Sequence, residues 1–95
     1  MKRKEINRKA NELLKKLYQD KEIMSCEVQE PNCQGSWAMS FHHRHKRVWY
    51  YEKPDSMLSE FNQTLLTCAS CHGDIEYNKE LHEYHFKRLR GDEKI

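Results

Sequence analysis

Four cysteines set the tightest limit on what this chain can fold into. They form two pairs, Cys26-x6-Cys33 and Cys68-x2-Cys71, with 34 residues between the pairs. Two thiolates at C-x2-C spacing can grip one tetrahedral ion from a tight turn. The wider pair spans Pro31 and Asn32 and is followed by Gly35, turn formers that can bring both sulfurs together. No secretory signal opens the chain, where Met1-Lys2-Arg3-Lys4 leads straight into a charged helical pattern. No window approaches the roughly 20 apolar residues of a membrane span. The expectation is a cytoplasmic protein with no membrane partner, whose thiols stay reduced. Reduced cysteines in two pairs, beside six histidines, point to a metal rather than to disulfides. A redox C-x-x-C calls for a βαβ context that this sequence lacks. Cys26, Cys33, Cys68 and Cys71 are therefore expected to hold one structural zinc.

The composition explains why such a staple is needed. The chain has 95 residues, read as a single domain over 1–95, and only 37% of them are hydrophobic against 34% charged. Mean hydropathy is -1.09. A chain this short buries a small share of its surface, so a metal can supply much of the folding free energy.

The apolar pattern predicts few elements. Ile6, Ala10, Leu13, Leu14, Leu17 and Tyr18 recur at helical spacing, predicting an amphipathic helix over 5–19. Residues 36–43 alternate loosely and carry aromatics, as a strand does. Val48-Trp49-Tyr50-Tyr51 reads as a second extended piece or a packed loop. Asp55 or Ser56 can cap a short helix through Phe61. Leu65-Leu66-Thr67 is a short extended segment, 69–77 a helix following a metal knuckle, and 78–90 a final helix. The last five residues are charged and expected to fray. Trp37, Trp49, Tyr50 and Tyr51 are read as core, and His82 and His85 as structural.

Charge and histidine placement suggest chemistry. Residues 1–20 hold seven basic side chains against three acidic ones. Arg44, Lys46 and Arg47 form a second basic cluster, and Lys87, Arg88 and Arg90 a third; such clusters suit phosphate contacts. His42 and His43 end the predicted strand, with His45 close by. His72 directly follows Cys71, and Glu76 lies four residues on, so both face one side of a helix. An imidazole pair opposite a His-x3-Glu face is a reasonable site for a catalytic divalent metal.

The run Phe41-His42-His43, a later Asn62, and Leu65-Leu66-Thr67-Cys68-Ala69-Ser70-Cys71-His72 resembles the HNH endonuclease motif over about residues 26–77. In that family, paired cysteines flank a strand ending in an Asp-His or His-His pair, an Asn follows, and a C-x2-C-H knuckle starts the metal-binding helix. The wide first cysteine pair and the basic stretch His45-Lys46-Arg47 resemble small phage-encoded members. The resemblance implies a small α+β domain of ββα-metal type, stapled by zinc and flanked by terminal helices. It implies a metal-dependent DNA endonuclease that nicks or cuts with weak specificity. His43 resembles the general base, His42, His72 and Glu76 the ligands of a catalytic Mg2+, Mn2+, Ni2+ or Zn2+, and Asn62 the amide that orients His43. His45 is an alternative ligand to His42. The family Asn usually stands five residues before the first knuckle cysteine, which is Gln63 here, so either amide fits that role. Thr67 stands where the family has a hydrophobic residue. Arg44, Lys46 and Arg47 would contact the DNA backbone. DNA is the implied partner, with phage packaging proteins or a second copy as further ones, and the host cytoplasm as the location if phage-encoded.

Two other functions fit part of the pattern. A non-catalytic zinc-ribbon module binding DNA or protein accounts for the cysteines and basic clusters, but not for His42-His43 and His72-x3-Glu76 at those places. A toxin-like RNase or packaging accessory nuclease keeps the chemistry and changes the substrate.

Overall fold

A computed structural model describes residues 3–93. Helix α1 spans Arg3–Asp20, strand β1 Ser40–His43, and the short helix α2 Arg47–Tyr50. Two 3-10 turns, Asp55–Ser59 and Phe61–Gln63, lead into strand β2, Thr64–Thr67. Helices α3, Ala69–Glu76, and α4, Lys79–Arg90, complete the chain. The result is a small compact α+β fold around one antiparallel two-stranded sheet.

The sheet sorts the core. Ser40 pairs with Thr67, Phe41 with Leu66, His42 with Leu65, and His43 with Thr64. Successive side chains on a strand point to opposite faces. Phe41 and Leu66 pack against Leu14 and Tyr18 of α1, and the Tyr18 and Thr64 hydroxyls share a 2.7 Å hydrogen bond. Leu65 instead joins Cys26, Val28, Cys68, Cys71, Ile75 and Phe86 in a second cluster on the side of α3 and α4. A third cluster, Ala10, Tyr50 and Leu58, seats α2 and the first 3-10 turn on α1. His42 therefore faces α3 and α4, while His43 faces the α1 side.

Local signals end the helices. The Asn78 side chain caps α4 by accepting from the Leu81 N–H at 3.2 Å. Gly91, at φ +82°, takes the chain off the end of α4.

Several expectations need correction. The strand begins at Ser40, not residue 36, because 36–39 form turns in which Ala38 adopts φ +49°. Residues 48–51 are neither strand nor loop: α2 covers most of them. Trp37 is 62% exposed and Leu13 58%, so neither is core; Tyr50 is buried, and Trp49 and Tyr51 pack around it in part. Of the five residues expected to fray, Glu93 is tied down, its carboxylate binding His45 and Gln63, while 94–95 lie outside the described residues. No helix among the described residues is long and apolar enough to cross a membrane.

Candidate metal centre

The cysteine pairs converge as their spacing predicts. One sulfur from each of Cys26, Cys33, Cys68 and Cys71 lies within 4.8 Å of all the others. Cys33 and Cys68 are 4.0 Å apart, against about 3.8 Å for the edge of a tetrahedron with Zn–S bonds of about 2.3 Å. Backbone N–H groups surround the sulfurs. Gln34 and Cys71 donate to Cys68 Sγ at 3.3 and 3.4 Å, and Gly35 donates to Cys33 Sγ at 3.4 Å. Burial raises the Cys68 thiol pKa, but the Gln34 and Cys71 N–H donors, together with hydrogen bonds from the Cys71 and Cys26 thiols, outweigh it and bring the value down to about 7. Burial pushes the Cys26 and Cys71 thiols up. Four buried or half-buried sulfurs with N–H donors in place can hold a structural metal.

A second group forms where β1 meets α3. His42, His72 and Glu76 each offer a ligand atom within 4.8 Å of the other two. His42 Nδ1 and His72 Nε2 each lie 3.5 Å from the same Glu76 oxygen. That matches the edge of about 3.4 Å for a tetrahedron with metal bonds near 2.1 Å.

The surrounding hydrogen bonds select the tautomers. His82 Nε2 lies 2.8 Å from the Arg44 carbonyl oxygen, which can only accept, so Nε2 carries the hydrogen. His82 Nδ1 is then an acceptor, and His42 Nε2–H donates to it at 2.8 Å. That leaves the lone pair of His42 Nδ1 facing Glu76. At His72, Nδ1 lies 3.0 Å from Ser40 Oγ and 3.4 Å from Thr67 Oγ1, whose own hydrogen goes to the Ser40 carbonyl. His72 Nδ1–H can donate there, leaving Nε2 open toward Glu76. Both imidazoles thus turn a lone pair to the same point. Burial, reinforced by neighbouring His82, His72 and His43, lowers the His42 pKa to about 3, so the ring is neutral as a ligand must be.

His43 borders the same cleft from the end of β1. Its Nε2–H donates to the Leu58 carbonyl at 2.8 Å, which leaves Nδ1 as the basic atom. Burial, opposed by that hydrogen bond and aided by Arg47, lowers its pKa to about 4.

The middle amide does not sit where expected. Asn62 is exposed and reaches Arg44 only through its backbone carbonyl. Gln63 is 3% exposed; its Oε1 accepts from Tyr50 at 2.7 Å and its Nε2 donates to Glu93 at 2.6 Å. Among the described residues neither amide bonds His43, whose ring nitrogen is taken by the Leu58 carbonyl. His45 does not join the trio: its ring stacks on Trp49 and binds Glu93. Arg44, Lys46 and Arg47 all border the cleft. His82, read from sequence as structural, is the residue the sequence concealed. It lies 40 positions from His42, and no local pattern links the two. No protein-family model, curated protein or solved structure matches this chain.

Proposed function

We propose that the chain is a metal-dependent endonuclease of the HNH, ββα-metal type, acting on DNA. The observation that carries this reading is the convergence of His42 Nδ1, His72 Nε2 and the Glu76 carboxylate on one point, in a cleft that His43 also lines. Further support is the order β1, β2, α3, with α3 starting at the Cys68–Cys71 knuckle. Three protein ligands leave positions open, as in catalytic rather than structural sites. Four cysteines are a closed set, suited to zinc as a staple.

A divalent ion held by the trio would polarise the scissile phosphate and offset charge on the leaving oxygen. His43 acts on the attacking water. As the water oxygen bonds to phosphorus, its proton passes to His43 Nδ1, and the P–O3′ bond breaks. The Leu58 carbonyl fixes the ring so that Nδ1, not Nε2, is the base. Arg44, Lys46 and Arg47 hold the backbone, which positions DNA without reading its sequence.

Plasmid nicking tests this. Zinc-loaded protein is assayed with and without Mg2+, Mn2+ or Ni2+, beside His43→Ala. Nicking is expected only with added metal, and His43→Ala is expected to lose about 10²–10⁴-fold while remaining folded. Absence of nicking with every metal, from protein holding one zinc, would leave a non-catalytic zinc-ribbon module. Equal nicking by both proteins would remove His43 from the mechanism.

A further inference from the structure

The cleft beside the trio contains a carboxylate in an unexpected place. After α4 the chain turns at Gly91, whose carbonyl accepts from the Arg44 guanidinium. Two residues on, the Glu93 side chain enters between the cleft and an adjoining hollow that contains Gln63. His45 Nε2 lies 2.7 and 2.9 Å from its two oxygens, and Gln63 Nε2 donates to it at 2.6 Å.

These donors are held in advance by groups that do not need Glu93. Gln63 is buried, and the hydroxyl of Tyr50, itself 1% exposed, occupies its Oε1, so its N–H must point outward. The His45 ring is stacked on Trp49 at 3.9 Å between centroids. Arg44 lines both hollows, with its guanidinium donating to the carbonyls of Asn62 and Gly91. Oriented donors around one anion form a receptor, and a carboxylate offers the same pair of acceptor oxygens as the non-bridging oxygens of a phosphate.

We propose that His45, Gln63 and Arg44 form a phosphate subsite next to the trio, and that Glu93 occupies it as an internal stand-in for a nucleic-acid backbone phosphate. This rests on the nucleic-acid reading above. Glu93 must withdraw for the substrate phosphate to enter, so the measured affinity is reduced by the fraction of molecules in which the subsite is open.

The test is binding of a short fluorescent duplex to the zinc-loaded full chain, by anisotropy, with no other divalent metal added. Glu93→Gln is expected to bind about tenfold tighter than wild type. Asp92→Asn removes the same charge from the same cleft and is expected to change affinity less than about twofold. Adding His45→Ala to Glu93→Gln is expected to remove most of the gain. In a second readout, inorganic phosphate is expected to shift the His45 ring signals in 15N–1H spectra of Glu93→Gln but not of wild type. Equal gains from Glu93→Gln and Asp92→Asn would reduce the effect to bulk charge and overturn the subsite. So would a Glu93→Gln protein with unchanged affinity, or a His45 ring indifferent to phosphate. A tenfold gain in a protein that never nicks DNA would sink the nuclease reading and keep the subsite. Normal nicking without the gain would sink the subsite alone.

Discussion

His42 and His43 are neighbours in sequence, and strand geometry sends their rings to opposite faces of the sheet. Alternation on β1 turns His42 toward α3 and α4 and His43 toward Leu58 and Tyr50. Each ring then has one nitrogen tied and one free, and the tie decides which. His82 supplies the tie for His42, so its removal leaves the ligand ring free to rotate or change tautomer. His82→Ala is expected to weaken Mn2+ or Ni2+ binding at the trio by about 10–100-fold, with the cysteine site still loaded. Titration calorimetry on zinc-loaded protein reads this directly. Unchanged affinity would show that the trio orients itself without α4.

At the scale of elements, α4 is locked down by a buried ion pair. Arg90 donates to Glu27 at 2.7 Å, with the two side chains 3% and 10% exposed. The same guanidinium lies over Phe61, at 3.6 Å from the ring centroid, and donates to the carbonyls of Phe61 and Thr64. Glu27 also accepts from the Leu66 N–H of β2 at 2.8 Å. Glu27→Ala leaves a buried cation and an unmet backbone donor, and is expected to cost about 3–5 kcal/mol in denaturant unfolding. A loss under about 1 kcal/mol would mean that water or Tyr18 compensates Arg90. Helices α1 and α2 each bury a phenol. Burial raises the Tyr18 pKa, and burial helped by Glu93 pushes Tyr50 up to about 12. A raised phenol pKa gives stability that is full below the unfolded value of about 10 and is lost as pH rises through the folded value. Stability is expected to decline between about pH 10 and 12, with Tyr50 giving a phenolate near 12 in an absorbance titration. Tyr50→Phe should remove the phenolate that appears near 12. Survival of that step in Tyr50→Phe would assign it elsewhere.

For the molecule as a whole, Cys26, Cys68 and Cys71 belong to one core group with Val28, Leu65, Ile75 and Phe86, and Cys33 packs against it. Its sulfurs come from the loop after α1 and from the knuckle that opens α3, so a bound metal joins the two ends of the hairpin. Stripping zinc with a strong chelator is expected to abolish the helical circular dichroism, and Cys71→Ser to prevent its recovery on adding zinc back. A metal-free chain that keeps its helicity would show that the core suffices without the staple.

The sequence alone determined the features that depend on short spacing. The knuckle, the His72–Glu76 helix face and the helices α1, α3 and α4 follow from residues within a turn or two of each other, where periodicity and capping act. The register of β1 against β2, the helical turn at Val48–Tyr50 and the exposure of Trp37 were not legible. Short apolar runs carry no strong intrinsic preference, and their packing partners decide. Only the tertiary structure brought His82 to His42, Leu58 to His43, and Glu93 to His45 and Gln63. Those contacts span 15 to 48 positions in the chain. They arise because sheet pairing and the cysteine cluster fold distant segments onto one cleft, and no residue's immediate neighbours encode that.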